Sequence, residues 1–142
     1  FLPATRLEGK IKSGQEIFVT RCATCHRING QGFELGPDLE TTRHWSKAEL
    51  LTHVIDPNSK VEPDQKIYQI TTRTDENYAG LIVAESANSI TLGQPQGIKT
   101  TILRANICKM KSFGVSMMPE GLEAGLALQD MADLLSYLKS GR

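Results

Sequence analysis

The stretch Cys22-Ala23-Thr24-Cys25-His26 decides how the rest of the chain is read. With only three cysteines and three histidines among 142 residues, a chance Cys-x-x-Cys-His match is expected on the order of once in a thousand such sequences. The chemistry accounts for the spacing. Two thiols three positions apart on a helical turn can each add to one vinyl group of the same haem, and the adjacent imidazole then points at the iron as its proximal axial ligand. A structural zinc site needs four closed ligands, and Cys108, His44 and His53 do not form a second paired motif. A thioredoxin-like redox pair belongs beside a βαβ pattern, which is missing. The motif therefore predicts one haem c joined through Cys22 and Cys25, with His26 on the iron.

The second axial ligand has few sources: Met110, Met117, Met118, Met131, His44 and His53. Met131 has the spacing of a helix core face, where methionine is packing material, and Met110 lies just beyond a strand. His44 and His53 sit close to or inside a helix, where a lone histidine more often caps or faces solvent. Met117 and Met118 instead occupy an irregular segment ending in Pro119, where a loop can hold a thioether against iron. Met118 is the first choice and Met117 the runner-up, with a histidine or an open sixth position as the remaining alternatives. A His/Met pair raises the reduction potential and suits electron transfer.

Composition narrows the setting. Sixteen Lys+Arg balance sixteen Asp+Glu, so no whole-molecule field attracts nucleic acid or an anionic membrane. No stretch reaches the length of a membrane-spanning helix. Phe1-Leu2-Pro3 does not open a charged-then-apolar signal, so a soluble chain is expected, its export signal removed or outside this segment. The balance is local as well as global. From Ser86 to Pro119 there is no acidic residue, while Lys99, Arg104, Lys109 and Lys111 are cationic; from Glu120 to Asp133 the sign reverses. With Cys22 and Cys25 assigned to thioethers, Cys108 is left over and is expected as a buried, apolar-like residue rather than an exposed thiol.

Along the chain, Ser13-Gly14-Gln15-Glu16 has the form of a capping box and predicts a helix from about Gly14 to Cys22. Gly30, Gly32, Gly36 and Pro37 mark an irregular loop up to about Arg43. Ser46-Lys47-Ala48-Glu49 opens a second helix that Asp56-Pro57 stops. Lys66–Arg73, Tyr78–Glu85, Ser89–Leu92 and Ile98–Leu103 are four strand candidates, close enough together to form an antiparallel meander or small barrel. After Ser112 a second irregular stretch is expected, and a helix from about Leu128 to Lys139 carries Met131, Leu134, Leu135 and Leu138 on one face.

These features resemble the class I cytochromes c. Gly14 and Phe18 precede the haem motif, Gly36-Pro37 follows it, and Leu134 and Tyr137 lie on the last helix at the positions where the family packs its first helix across its last. The resemblance implies that the Pro37 carbonyl accepts from the Nδ1–H of His26. A narrower resemblance covers nearly the whole chain. Leu35-Gly36-Pro37-Asp38-Leu39, Ile55-Asp56-Pro57-Asn58, Met117-Met118-Pro119-Glu120-Gly121-Leu122 and Ala132-Asp133-Leu134-Leu135-Ser136-Tyr137-Leu138 are similar to the haem-binding domain of the planctomycete and verrucomicrobial type. There the methionine directly before proline is the matching position, which favours Met118. The expected fold is mainly α, a single cytochrome c domain over 1–142, with a small antiparallel β-rich insertion at 66–104 between the second helix and the methionine loop.

The expected function is electron transfer rather than catalysis. One haem accepts an electron from a dehydrogenase-type donor and passes it to a cytochrome or oxidase, with Arg43, Trp45 and Tyr68 as candidates to pair with the propionates. The alternative is a haem peroxidase or small-gas-binding module with a labile sixth ligand. The acid-free run could also dock the insertion onto a partner. Because Cys-x-x-Cys-His haem joining takes place outside the bacterial cytoplasmic membrane, the resemblance implies a periplasmic protein.

Overall fold

The computed structural model describes residues 1–141. Three α-helices, α1 (Ile11–Arg21), α2 (Lys47–Ile55) and α3 (Leu128–Lys139), enclose one hydrophobic core. The strands are β1 (Arg27–Ile28), β2 (Gln31–Gly32), β3 (Lys66–Thr72), β4 (Asn77–Glu85), β5 (Ser89–Gln94), β6 (Ile98–Leu103) and β7 (Ile107–Ser116).

The helical core is set by the apolar faces that the sequence supplies. Phe18 of α1, Leu50, Leu51 and Val54 of α2, and Met131, Leu134, Leu135, Tyr137 and Leu138 of α3 are buried together with Ala4 and Ile28. The first and last helices meet at Gly14, where a Cβ would overlap the carbonyl oxygen of Asp133; glycine alone permits so close a backbone approach. Beside this crossing the Phe18 and Tyr137 rings lie 5.5 Å apart at 48°. The Ser46–Glu49 capping box forms as expected and opens α2. The one expected at Ser13–Glu16 does not, because α1 begins three residues earlier, at Ile11. Its first turn is held from across the fold instead: the buried Asp133 carboxylate accepts the Lys10 N–H at 2.8 Å.

The mainly α architecture does not hold. Helices account for 35% of residues and strands for 30%, and a five-stranded antiparallel sheet stands beside the three α-helices. Four of its strands fall where β-branched runs predict them; the fifth, β7, occupies Ile107–Ser116, a stretch expected to turn irregular after Ser112. None of the ten residues of β7 is fully buried, so no strict inside-outside alternation betrays it. What makes it a strand is long-range pairing with β3, Ile70 opposite Met110 and Tyr68 opposite Ser112. The β-rich segment thus runs to Ser116 rather than ending near residue 104.

The strand order β6-β5-β4-β3-β7 forces the sheet to roll. β6 and β7 lie at opposite edges, which on a flat sheet are four strand spacings, about 19 Å, apart. Only Arg104–Asn106 joins them, four Cα steps that reach at most about 14 Å. The sheet bends along β4, whose first half pairs with β3 and second half with β5, the register shifting between Ile82 and Ala84. The joining turn is then bonded on both sides, Arg104 N–H to Asn88 O and Arg73 N–H to Asn106 O, each at 2.8 Å. Ile70, Ile90, Leu92 and Ile102 fill the roll as a second core.

Candidate functional site

The haem motif lies at the carboxyl end of α1. Cys22 N–H closes the last helical turn on Phe18 O at 2.8 Å, and the chain coils once more so that His26 N–H reaches Cys22 O at 2.9 Å. This turn puts Cys22, Cys25 and His26 on one short piece of backbone. The segment that follows comes straight back: Asn29 and Gly30, both with positive φ, make a tight turn between β1 and β2. Asn-Gly is the strongest short hairpin signal a sequence carries, and reading this stretch only as irregular missed it. Residues 33–36 then close over the motif, with Phe33 N–H on Ala23 O at 3.0 Å and Leu35 and Gly36 N–H on Cys25 O at 3.0 and 2.6 Å.

That return fixes the imidazole. His26 Nδ1 lies 3.0 Å from the carbonyl oxygen of Pro37. A carbonyl only accepts, so Nδ1 carries the proton and Nε2 is left with a free lone pair, the tautomer needed for metal ligation. Gly36 packs flat on the ring: a Cβ there would sit 2.6 Å from Cε1. Burial lowers the His26 pKa from its usual 6.5, opposed by the bond to Pro37, and so favours the neutral ring. Burial also pushes the Cys22 thiol up to about 11, against the pull of the neighbouring Arg21.

Met118 packs on the helical core together with Cys22, Ala23 and Trp45; Met117 is not among the residues on that core. The loop carrying both methionines is held by side chains from outside it. Asn58, just past α2, accepts the Ser116 N–H through Oδ1 and donates through Nδ2 to Glu120, each at 2.9 Å. Arg21 Nη1 donates to the carbonyls of Leu122 and Ala124, both at 2.7 Å. Neither Arg21 nor Asn58 stands out as a site residue in the sequence, because they lie 101 and 62 positions from their partners in the loop.

Of the remaining candidates, Arg43 and Trp45 lie side by side before α2, and Tyr68 lies in the sheet. The guanidinium of Arg43 is bound by Glu40 and Asn29, while its Nε is buried with no partner among the described residues. Trp45 stacks on His53 at 4.8 Å, and its carbonyl and that of Arg43 accept from Lys139 Nζ. Tyr68 sits in β3 between Gly80 and Ser112. Of the cations in the acid-free run, Arg104 pairs with Glu85 at 3.2 Å, Lys99 is on β6, and Lys109 and Lys111 are on β7. Cys108 is exposed on the edge strand, not buried as expected, because β7 reaches the core of the roll only through Ile107. A cleft of about 370 Å³, lined by Val19, Ala23, Phe33 and Gln96 among others, lies where the sheet touches the motif through the Gln96 N–H and Thr24 O.

The donor set fits a c-type haem: two free thiols on one turn, an imidazole whose outer nitrogen is the acceptor, and a half-buried thioether on the core that one of the thiols shares. No curated protein matches the chain. A family model described as cytochrome c matches residues 11–142. The chain therefore belongs to the cytochrome c family, haem-binding electron-transfer proteins whose haem c is attached through cysteines, for which Cys22 and Cys25 are the pair this sequence supplies.

Proposed function

We propose that the chain is a single-haem electron carrier in which Cys22 and Cys25 hold the haem, His26 is the proximal ligand and Met118 the distal one. The observation that carries the proposal is the 3.0 Å contact of His26 Nδ1 with Pro37 O, a bond that leaves the Nε2 lone pair free and raises its basicity. Met118 is favoured over Met117 by its place on the core shared with Cys22. The bound iron supplies a one-electron Fe(III)/Fe(II) couple. The chain's own residues orient the imidazole, exclude water and hold the thioether in place.

Redox proteins are the partners this function needs, a dehydrogenase-type donor and a cytochrome or oxidase acceptor. The apolar rim of the cleft beside Ala23, where Val19 and Phe33 are 46% and 44% exposed, is the kind of surface such partners meet. A periplasmic location belongs to the same proposal; no described helix is long and apolar enough to cross a membrane. So does the narrower resemblance to the planctomycete and verrucomicrobial type, supported by the Asn58–Glu120 bond that joins two of its quoted segments. The reading of 1–142 as one domain, with the sheet inserted, rests on α1 and α3 packing from either end of the chain.

A pyridine haemochrome spectrum with an intact mass tests attachment: one haem per chain is expected, and no added mass ends the proposal. Carbon monoxide added to the ferrous form tests ligation. Immediate stoichiometric binding would point to a gas-binding or peroxidase site with an open sixth position; slow or partial binding is expected of a carrier closed by Met118.

A further inference from the structure

We propose that Arg21 and Asn58 are positioning residues that together set how firmly Met118 closes the sixth position; the inference rests on the axial ligation proposed above. The chain from Met117 to Ala127 is neither helix nor strand. Within it, Ala124 N–H to Gly121 O and Leu126 N–H to Glu123 O tie only its second half. Its first half, which carries Met118, depends on anchors outside. Asn58 supplies two of them with one amide, and they fall on Ser116 and Glu120, two residues either side of Met118. The amide therefore spans the methionine like a staple. Ser116 extends the hold, its Oγ accepting the Met118 N–H at 3.1 Å.

Arg21 fixes the far end. It is the last residue of α1 and precedes Cys22 directly, so the guanidinium that grips Leu122 and Ala124 is joined by one peptide bond to a haem-attaching position. Arginine suits this use because it is always charged and the two N–H groups of Nη1 can each reach a carbonyl. The loop is thus referenced to α1 at one end and to the turn after α2 at the other. Movement of Met118 away from the core must break bonds at one anchor or stretch the loop between them.

The test uses the ferric holoprotein. Imidazole is titrated against the loss of the methionine-to-iron charge-transfer band in wild type, Arg21→Met, Asn58→Ala, Met118→Ala and Leu81→Ala, with urea midpoints measured alongside. Each anchor variant should bind imidazole about threefold to tenfold more tightly than wild type, the range expected for freeing one or two hydrogen bonds. Leu81 is buried in β4 and makes none of the bonds that anchor the loop; Leu81→Ala should lower the urea midpoint and leave imidazole affinity unchanged. Should Arg21→Met not accumulate with haem, Arg21→Lys carries the same comparison with a smaller expected rise. Wild-type affinity in both anchor variants, with Met118→Ala binding far more tightly, would overturn the anchoring while leaving the axial ligation intact. A wild-type spectrum without the methionine band, unaltered by Met118→Ala, would overturn the ligation and the anchoring with it.

Discussion

Gly14 has no room for a side chain, and the group it would strike is backbone, the carbonyl of Asp133. Gly14→Ala should therefore push α1 off α3 and cost roughly 1–3 kcal/mol or more in urea unfolding, despite alanine's better helix propensity. Cys22 makes a second single-residue prediction. With its thiol raised from 9.0 to about 11, the thiolate fraction near neutral pH is about 100-fold lower than for an unperturbed thiol. In the haem-free chain, alkylation of Cys22 followed by peptide mass should be slower by at least that factor in buffer than in denaturing urea. The same shift gives a pH dependence. A raised folded pKa means stability that is complete below pH 9 and is lost as pH rises through about 11. The lowered His26 value works in the other direction: its contribution is present above 6.5 and is lost as pH falls through the folded value. Urea midpoints of the haem-free chain should fall on both sides of this window, and His26→Gln should flatten the fall just below pH 6.5 while leaving the alkaline one unchanged.

At the scale of elements, α2 and α3 were legible because each needs only local chemistry, a Ser46–Glu49 box and an apolar face repeating every three to four residues. α1 was legible as a helix but not in its start. Its first turn is completed by Asp133, 123 residues away, and no local pattern encodes that. Asp133 also accepts from Gln129 Nε2 at 2.9 Å, so Asp133→Ala strands two donors. Unfolding should show a loss of about 1–2 kcal/mol, and hydrogen exchange should show fraying confined to the first turn of α1. β7 was illegible for the opposite reason. Only its first residue, Ile107, packs on a core, and Phe113 and Val115 bulge outward where two steps of β3 are matched by four of β7.

At the scale of the whole molecule, the described residues form two cores that share no residue, one among the helices and one inside the roll. The two parts meet where Gln96 N–H donates to Thr24 O and where Phe33 and Leu35 lie against Gly97 and Gly93. Opening one core therefore need not open the other. Ile70→Ala removes a fully buried side chain from the roll and should cost about 2–4 kcal/mol there. Hydrogen exchange read by mass spectrometry should show lost protection in β3 to β6 with α1 and α3 unchanged. Equal loss in both would mean that the two cores unfold as one.

By itself the sequence determined the haem motif, the positions of three helices and four strands, and the turn chemistry that brings Pro37 back to His26. Each is a matter of residues within about a dozen positions of one another. Tertiary structure alone decided the rolled sheet in place of a small insertion, the exposure of Cys108, and the grip of Asn58 and Arg21 on the methionine loop. Those depend on which distant backbone groups end up adjacent, and that is settled by how two cores and a three-residue turn close in space rather than by any local preference.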